Sequence, residues 1–166
     1  MRPALFLDRD GVINVDHHYV WRPSEFDVFP GVFEALRRAQ ALGYALIVVT
    51  NQSGIARGYF TPDAYGALEQ HMRTVFAAEG VTFTDIYHCP HHPSGSVPEY
   101  ARTCDCRKPA PGMILRAARE HGIDLAASIM VGDKDSDLAA ARAAGVGEAY
   151  LVKPPAVTLK DLDFYR

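Results

Sequence analysis

The chain has 166 residues, 48% of them hydrophobic and 22% charged, with a formal net charge of −3. That length carries one sizeable core, and the charge provides no basic face, so nucleic acid and anionic membrane surfaces are not expected partners. No run approaches the ~18 apolar residues of a membrane span, and MRPALFLD is not a signal-peptide pattern, so we expect a single cytoplasmic, monomeric domain over residues 1–166.

Strand-like and helix-like runs alternate along the chain. Residues 3–7 form a short apolar strand, and residues 31–42 place Val32, Phe33, Leu36, Ala39 and Leu42 at helical spacing before Gly43. The run YALIVV (44–49) is β-branched and apolar, as in a strand buried on both faces. Thr61-Pro62-Asp63 starts a helix with Thr as N-cap and Pro at the first helical position, and Gly80 ends it. A strand over 85–89, a helix from Pro111 to about Gly122, a strand over 128–132, a helix over 135–145 and a strand over 148–152 follow. The residues from Lys153 onward read as a tail lying over the domain. Strands separated by helices of 10–20 residues predict βαβ units and a three-layer, Rossmann-like α/β domain with a parallel sheet.

The polar residues collect at one edge of that sheet. Asp8 and Asp10, Thr50 and Asn51, and Asp133 each follow the C-terminal end of a predicted strand, where open α/β sheets bind ligands. Converging carboxylates call for a cation, and two or three of them with an open position suit Mg²⁺, a hard ion that also takes phosphate oxygens. Arg107 and Lys108 add positive charge beside them. The set fits phosphoryl transfer, with Asp8 ionised as nucleophile and Asp10 carrying a proton to the leaving oxygen and then activating water.

Cys89-Pro90-His91 and Cys104-Asp105-Cys106 bring three thiols and an imidazole into one loop, 89–106, a set suited to structural zinc, with His92 as the competing imidazole. Three cysteines do not make a disulfide framework.

FLDRDG, VVTNQSG, RKPAPGM and VGDKDSD resemble the four motifs of the haloacid dehalogenase-like phosphohydrolases over nearly the whole chain. More closely, DRDGVINVDHHYV, TNQSGIARG, CPHHPSGS and CDCRKPAPGM resemble the heptose 1,7-bisphosphate phosphatases, with the histidinol-phosphatases as near relatives. The resemblance implies Asp8 as nucleophile and Mg²⁺ ligand, and Asp10 as acid/base that also binds Mg²⁺ through its carbonyl. It further implies Asp133 as the remaining Mg²⁺ ligand, with Asp137 behind it, and Thr50 and Lys108 as holders of the phosphoryl oxygens. Zinc would sit on Cys89, His91, Cys104 and Cys106. Substrate contacts would come from Asp16, His17, His18, Tyr19, Asn51, Gln52, Ser53, Arg107 and Lys134.

The intervals between Asp8, Thr50 and Lys108 are filled by a flap, two helices, two strands and the cysteine loop, leaving no room for a full cap domain. Trp21 and Phe26 are expected to pack that flap across the site. The resulting expectation is a Mg²⁺-dependent phosphatase of a small sugar phosphate such as a heptose bisphosphate. Histidinol phosphate as substrate, or a catalytically silent phospholigand-binding module, is the rival.

Overall fold

The computed structural model describes residues 1–153; the expected tail beyond Lys153 lies outside them. Five strands, β1 (Ala4–Leu7), β2 (Ala45–Asn51), β3 (Asp85–Cys89), β4 (Ile129–Gly132) and β5 (Glu148–Leu151), form one sheet in the order β3-β2-β1-β4-β5. Every pairing is parallel, with Leu5 opposite Leu46 and Ile129 in the central strands.

The alternation of side chains along each strand feeds two cores. Ala45, Ile47 and Val49 of β2 pack with helices α3 (Gly112–His121) and α4 (Asp135–Ala144) on one face. Leu46 and Val48 pack with α1 (Val32–Ala41) and α2 (Pro62–Ala78) on the other. Burial on both faces explains the unbroken apolar run of β2, all six of whose residues from Ala45 to Thr50 are buried.

The helix boundaries follow local chemistry. Thr61 Oγ1 accepts from the Ala64 N–H at 3.1 Å, and Pro62 opens α2. Gly122 and Gly145, in left-handed conformation, close α3 and α4. The chain leaves β1 towards β2 and β3 on one side and reaches β4 and β5 on the other. The sheet therefore switches direction beside β1, where a ligand crevice opens at the C-terminal strand ends. The described residues between β1 and α1 form a flap, and those between β3 and α3 form the Cys/His loop. Neither interval holds a further folded layer.

One expectation about the flap is corrected. Phe26 turns into the α1/α2 core and meets His71 edge-on, while Trp21 stacks on Phe60 at 6.4 Å.

Candidate active site

Asp8 leaves β1 nearly buried, and its Oδ1 accepts from the Arg9 N–H at 2.8 Å. Lys108, 3% exposed, reaches the same oxygen at 3.2 Å. It also donates to Asp137 Oδ1 at 2.5 Å and to the Val49 carbonyl at 2.8 Å. Asp137 Oδ2 in turn accepts from the N–H groups of Asp133 and Lys134, both at 3.1 Å. The β4–α4 turn is thus pinned to β2 through one buried ion pair.

Burial pushes the Asp8 carboxyl up to about 7; Lys108 opposes the shift, and Asp137, Asp133 and Asp10 add to it. Burial also acts against the Lys108 charge, yet the facing Asp8 and Asp137 carboxylates hold it above the ordinary lysine value. Asp133 is raised too, chiefly by burial and by Asp137. Three carboxylates around one ammonium leave negative charge unbalanced.

The ligand atoms of Asp8, Asp133 and Asp137 lie within 4.8 Å of one another, and Asp133 Oδ1 is buried with no hydrogen-bond partner. Since Asp137 is already saturated by Lys108 and two backbone amides, Asp8 and Asp133 are the acids left facing a cation. The donor set, oxygen only and short of two positive charges, fits Mg²⁺. Gly11, at φ +85°, makes room for this arrangement, because a Cβ there would stand 2.1 Å from Asp133 Oδ2.

The Asp10 side chain stands outside that cluster. It accepts from Arg9 Nη2 at 3.0 and 3.1 Å, from Arg9 Nε at 3.2 Å, from Asn14 Nδ2 at 2.9 Å and from Gln52 Nε2 at 3.2 Å. Arg9, only 1% exposed, also donates to the Val20 carbonyl at 2.7 Å and so ties the flap to the acid. Sequence reasoning passed over Arg9 and Asn14, although an arginine between two aspartates was a visible signal.

A cleft of ≈ 450 Å³ opens over these groups. Asp8, Asp10 and Lys108 form its floor, and Asp16, His18, Tyr19, Asn51, Gln52, Ser53, Arg107 and Lys134 line its walls. His18 and Tyr19 both take left-handed backbone conformations, at φ 61° and 54°. His17 is not brought to the cleft; its Nε2 lies 2.6 Å from Asp27 Oδ2. Thr50 is buried beneath the cleft and accepts from Gln52 Nε2 at 2.9 Å. Asn51 clamps the lysine loop, accepting from the Lys108 N–H at 3.0 Å and donating to the Lys108 carbonyl at 3.1 Å.

The cysteine loop closes on itself beside this wall. Cys89 Sγ lies 2.9 Å from Cys106 Sγ and 3.5 Å from Cys104 Sγ, and His91 Nδ1 lies 3.6 and 3.4 Å from Cys89 and Cys106. Proton sharing with Cys89 lowers the Cys106 thiol to about 5 and raises Cys89. Three sulfurs and one ring nitrogen meeting in this way fit a tetrahedral zinc ion. His91 is the imidazole in the set, and the ring of His92 faces Arg57 instead.

A family model described as HAD-hydrolase-like matches residues 105–154. A D-glycero-beta-D-manno-heptose-1,7-bisphosphate 7-phosphatase of Yersinia pestis is 53% identical over 151 residues, covering 91% of this chain and 80% of that protein. The protein of the same description from Vibrio cholerae is 54% identical over 152 residues, 92% of this chain and 82% of its own. This chain belongs to the heptose-1,7-bisphosphate 7-phosphatase family. The crystal structure of a D,D-heptose 1,7-bisphosphate phosphatase from B. bronchiseptica, complexed with magnesium and phosphate, superposes with a TM-score of 0.78. It is 38% identical and covers 89% of this chain and 79% of its own. Membership of this family agrees with the acid cluster and cleft described above.

Proposed function

We propose that this chain hydrolyses the C7 phosphate of D-glycero-D-manno-heptose 1,7-bisphosphate, leaving the 1-phosphate. The observation that carries the reading is the buried Asp8–Lys108–Asp137 triad beside Asp133 at the floor of a polar cleft. A module that only binds phosphate has no use for a nucleophile held there. The near relatives' described activity names the substrate.

Asp8 and Asp133, with the Asp10 carbonyl, would hold Mg²⁺, which when bound neutralises the acids and polarises a phosphoryl oxygen. The Asp8 carboxylate attacks phosphorus. Its O–P bond forms as the bond to the C7 oxygen breaks, and Asp10 gives that oxygen its proton. Asp10 then takes a proton from the water that attacks the aspartyl-phosphate, releasing phosphate and restoring Asp8. The donors from Arg9, Asn14 and Gln52 leave Asp10 placed as the acceptor that the second step needs. Lys108 offsets charge on the nucleophile and the transferred group, and Thr50 supports Gln52 from below.

Arg107 and Lys134 flank the floor where a second phosphate would reach, and Asp16, His17, His18, Tyr19, Asn51 and Ser53 offer polar partners for sugar hydroxyls. His17 would have to exchange Asp27 for the substrate. A cationic amino alcohol such as histidinol phosphate gains nothing from Arg107 or Lys134. We read the chain as a single phosphatase domain that acts as a monomer in the cytoplasm; no helix among the described residues is long and apolar enough to cross a membrane. Zinc on Cys89, His91, Cys104 and Cys106 fixes the loop that leads into Arg107 and Lys108.

Phosphate release measured with Mg²⁺ on the heptose bisphosphate and on histidinol phosphate tests the assignment. The expected result is a higher kcat/KM for the bisphosphate. Equal values, or a preference for histidinol phosphate, would overturn it.

A further inference from the structure

Two pairs of aromatic rings join the flap to the turn that follows β2. Trp21 stacks on Phe60, whose ring lies so close to Gly54 that a Cβ there would stand 2.2 Å from it. Phe60 is buried and Gly54 lines the cleft, so this pair fastens the flap to the wall of the site. The second pair stands at the rim. The rings of Tyr19 and Tyr59 meet edge-on with centroids 4.7 Å apart, although the two residues are 42% and 53% exposed. Tyr19 lines the cleft, whereas Tyr59 lines a neighbouring pocket together with Trp21 and Phe60.

The flap is strained where it carries Tyr19. His18 and Tyr19 are left-handed in succession, a conformation that residues with a Cβ adopt rarely and keep only where their surroundings hold them. Before the pair, the His18 N–H donates to Asp16 Oδ1 at 3.0 Å. After it, the Val20 carbonyl accepts from Arg9 at 2.7 Å, and Val20 itself is buried. Both anchors act on the backbone, and the aromatic partner of the Tyr19 ring is Tyr59. Tyr59 is a firm support. Its N–H donates to the Gly54 carbonyl at 2.9 Å, and the Gly58 N–H to the Ile55 carbonyl at 3.1 Å. From the cysteine loop, Ser96 Oγ donates to the Arg57 carbonyl at 3.0 Å and the Val97 N–H to the Ala56 carbonyl at 2.9 Å.

We propose that Tyr59 is a positioning residue for the reaction: its ring holds the Tyr19 ring at the rim of the cleft, so that the flap wall stands ready for the sugar of the substrate. Tyr59 lies outside the cleft and acts through Tyr19. A flap free at this point would lose conformational freedom when the sugar binds, and a wall set in advance removes that loss from the binding step. The effect falls on KM and spares the phosphoryl chemistry at Asp8. An aromatic pair of this geometry corresponds to about a two- to twelvefold change in an equilibrium. This inference rests on the sugar-phosphate reading above and extends it to a residue that the reading did not use.

The test is a double-mutant cycle in steady-state kinetics on heptose 1,7-bisphosphate, with Tyr59→Ala, Tyr19→Ala, the two combined, and Tyr59→Phe, each melted alongside. Tyr59→Ala should raise KM by about three- to tenfold with little change in kcat or Tm, since the ring is half in water. Tyr59→Phe should restore the wild-type KM, because it keeps the ring. In the Tyr19→Ala background, Tyr59→Ala should change KM by less than about twofold, the range within which independent sites add. A wild type inactive on the bisphosphate would remove the substrate reading and this inference with it. With an active wild type, any of three results would overturn the inference alone: KM unchanged in Tyr59→Ala, no rescue by Tyr59→Phe, or the full Tyr59→Ala effect persisting without Tyr19.

Discussion

Asp137 touches no substrate in this account, yet its replacement by Asn should be among the most damaging single changes in the chain. Its carboxylate accepts from Lys108 through Oδ1 and from two backbone N–H groups through Oδ2, with a side-chain exposure of 1%. An amide has one acceptor and two donor hydrogens. If the Asn oxygen faces Lys108, its NH₂ confronts the Asp133 and Lys134 N–H groups. If it faces those amides, its NH₂ confronts the Lys108 ammonium. Either orientation leaves buried donors opposed. Removing one partner of a buried ion pair costs about 3–5 kcal/mol. Relief of the repulsion that Asp137 exerts on Asp8 and Asp133 offsets part of this loss, which places Asp137→Asn near the low end. At roughly 2–4 °C per kcal/mol for a domain of this size, Tm should fall by ~6 °C or more. Urea unfolding and thermal melts in saturating Mg²⁺, run beside phosphate release, read both consequences, since Lys108 and the Asp133 turn lose their anchor together. A stability loss under about 1 kcal/mol with wild-type kcat/KM would refute the reasoning.

Asp10→Asn should lower kcat by ~10²–10⁴ with little change in Tm, because acid/base catalysis goes while the amide still fills the site; near-normal turnover in a stopped assay would remove Asp10 from the chemistry. Elemental analysis should find one zinc per chain, and Cys104→Ser should lose it and destabilise the loop; zinc-free protein with unchanged melting would contradict the metal assignment. The metal-free Asp8 carboxyl, lifted by burial to about 7 despite Lys108, holds a proton that a cation has to displace. Apparent Mg²⁺ affinity, followed by calorimetry, should therefore rise with pH from 5 to 7 and level off above; an affinity flat across that range would count against Asp8 as a ligand.

Much of the fold was legible because single segments carried it. DIYHC reads as a strand and is β3 from Asp85 to Cys89, and Thr61-Pro62 caps α2 as its chemistry requires. The acids at the strand ends were legible for the same reason, since topology alone sends them to one edge. What the sequence did not disclose is which partner each side chain chooses. Asn51 reads as a substrate contact, but it also clamps Lys108 across 57 positions of sequence. His17 pairs with Asp27, and the Phe26 ring packs from the flap into the core. These choices depend on which surfaces the packed helices bring together, and no local pattern encodes that. The contact of Tyr19 with Tyr59 is of the same kind: the two lie far apart in the chain and meet only when the flap folds against the turn after β2.

Phosphorus NMR of the reaction on heptose 1,7-bisphosphate shows whether Asp8 takes the C7 phosphate and leaves the other in place. The C7 phosphomonoester signal should disappear, inorganic phosphate should grow and the anomeric 1-phosphate should stay intact, with no turnover in Asp8→Asn under the same conditions. Release of the anomeric phosphate first, or the same product pattern from Asp8→Asn, would contradict it.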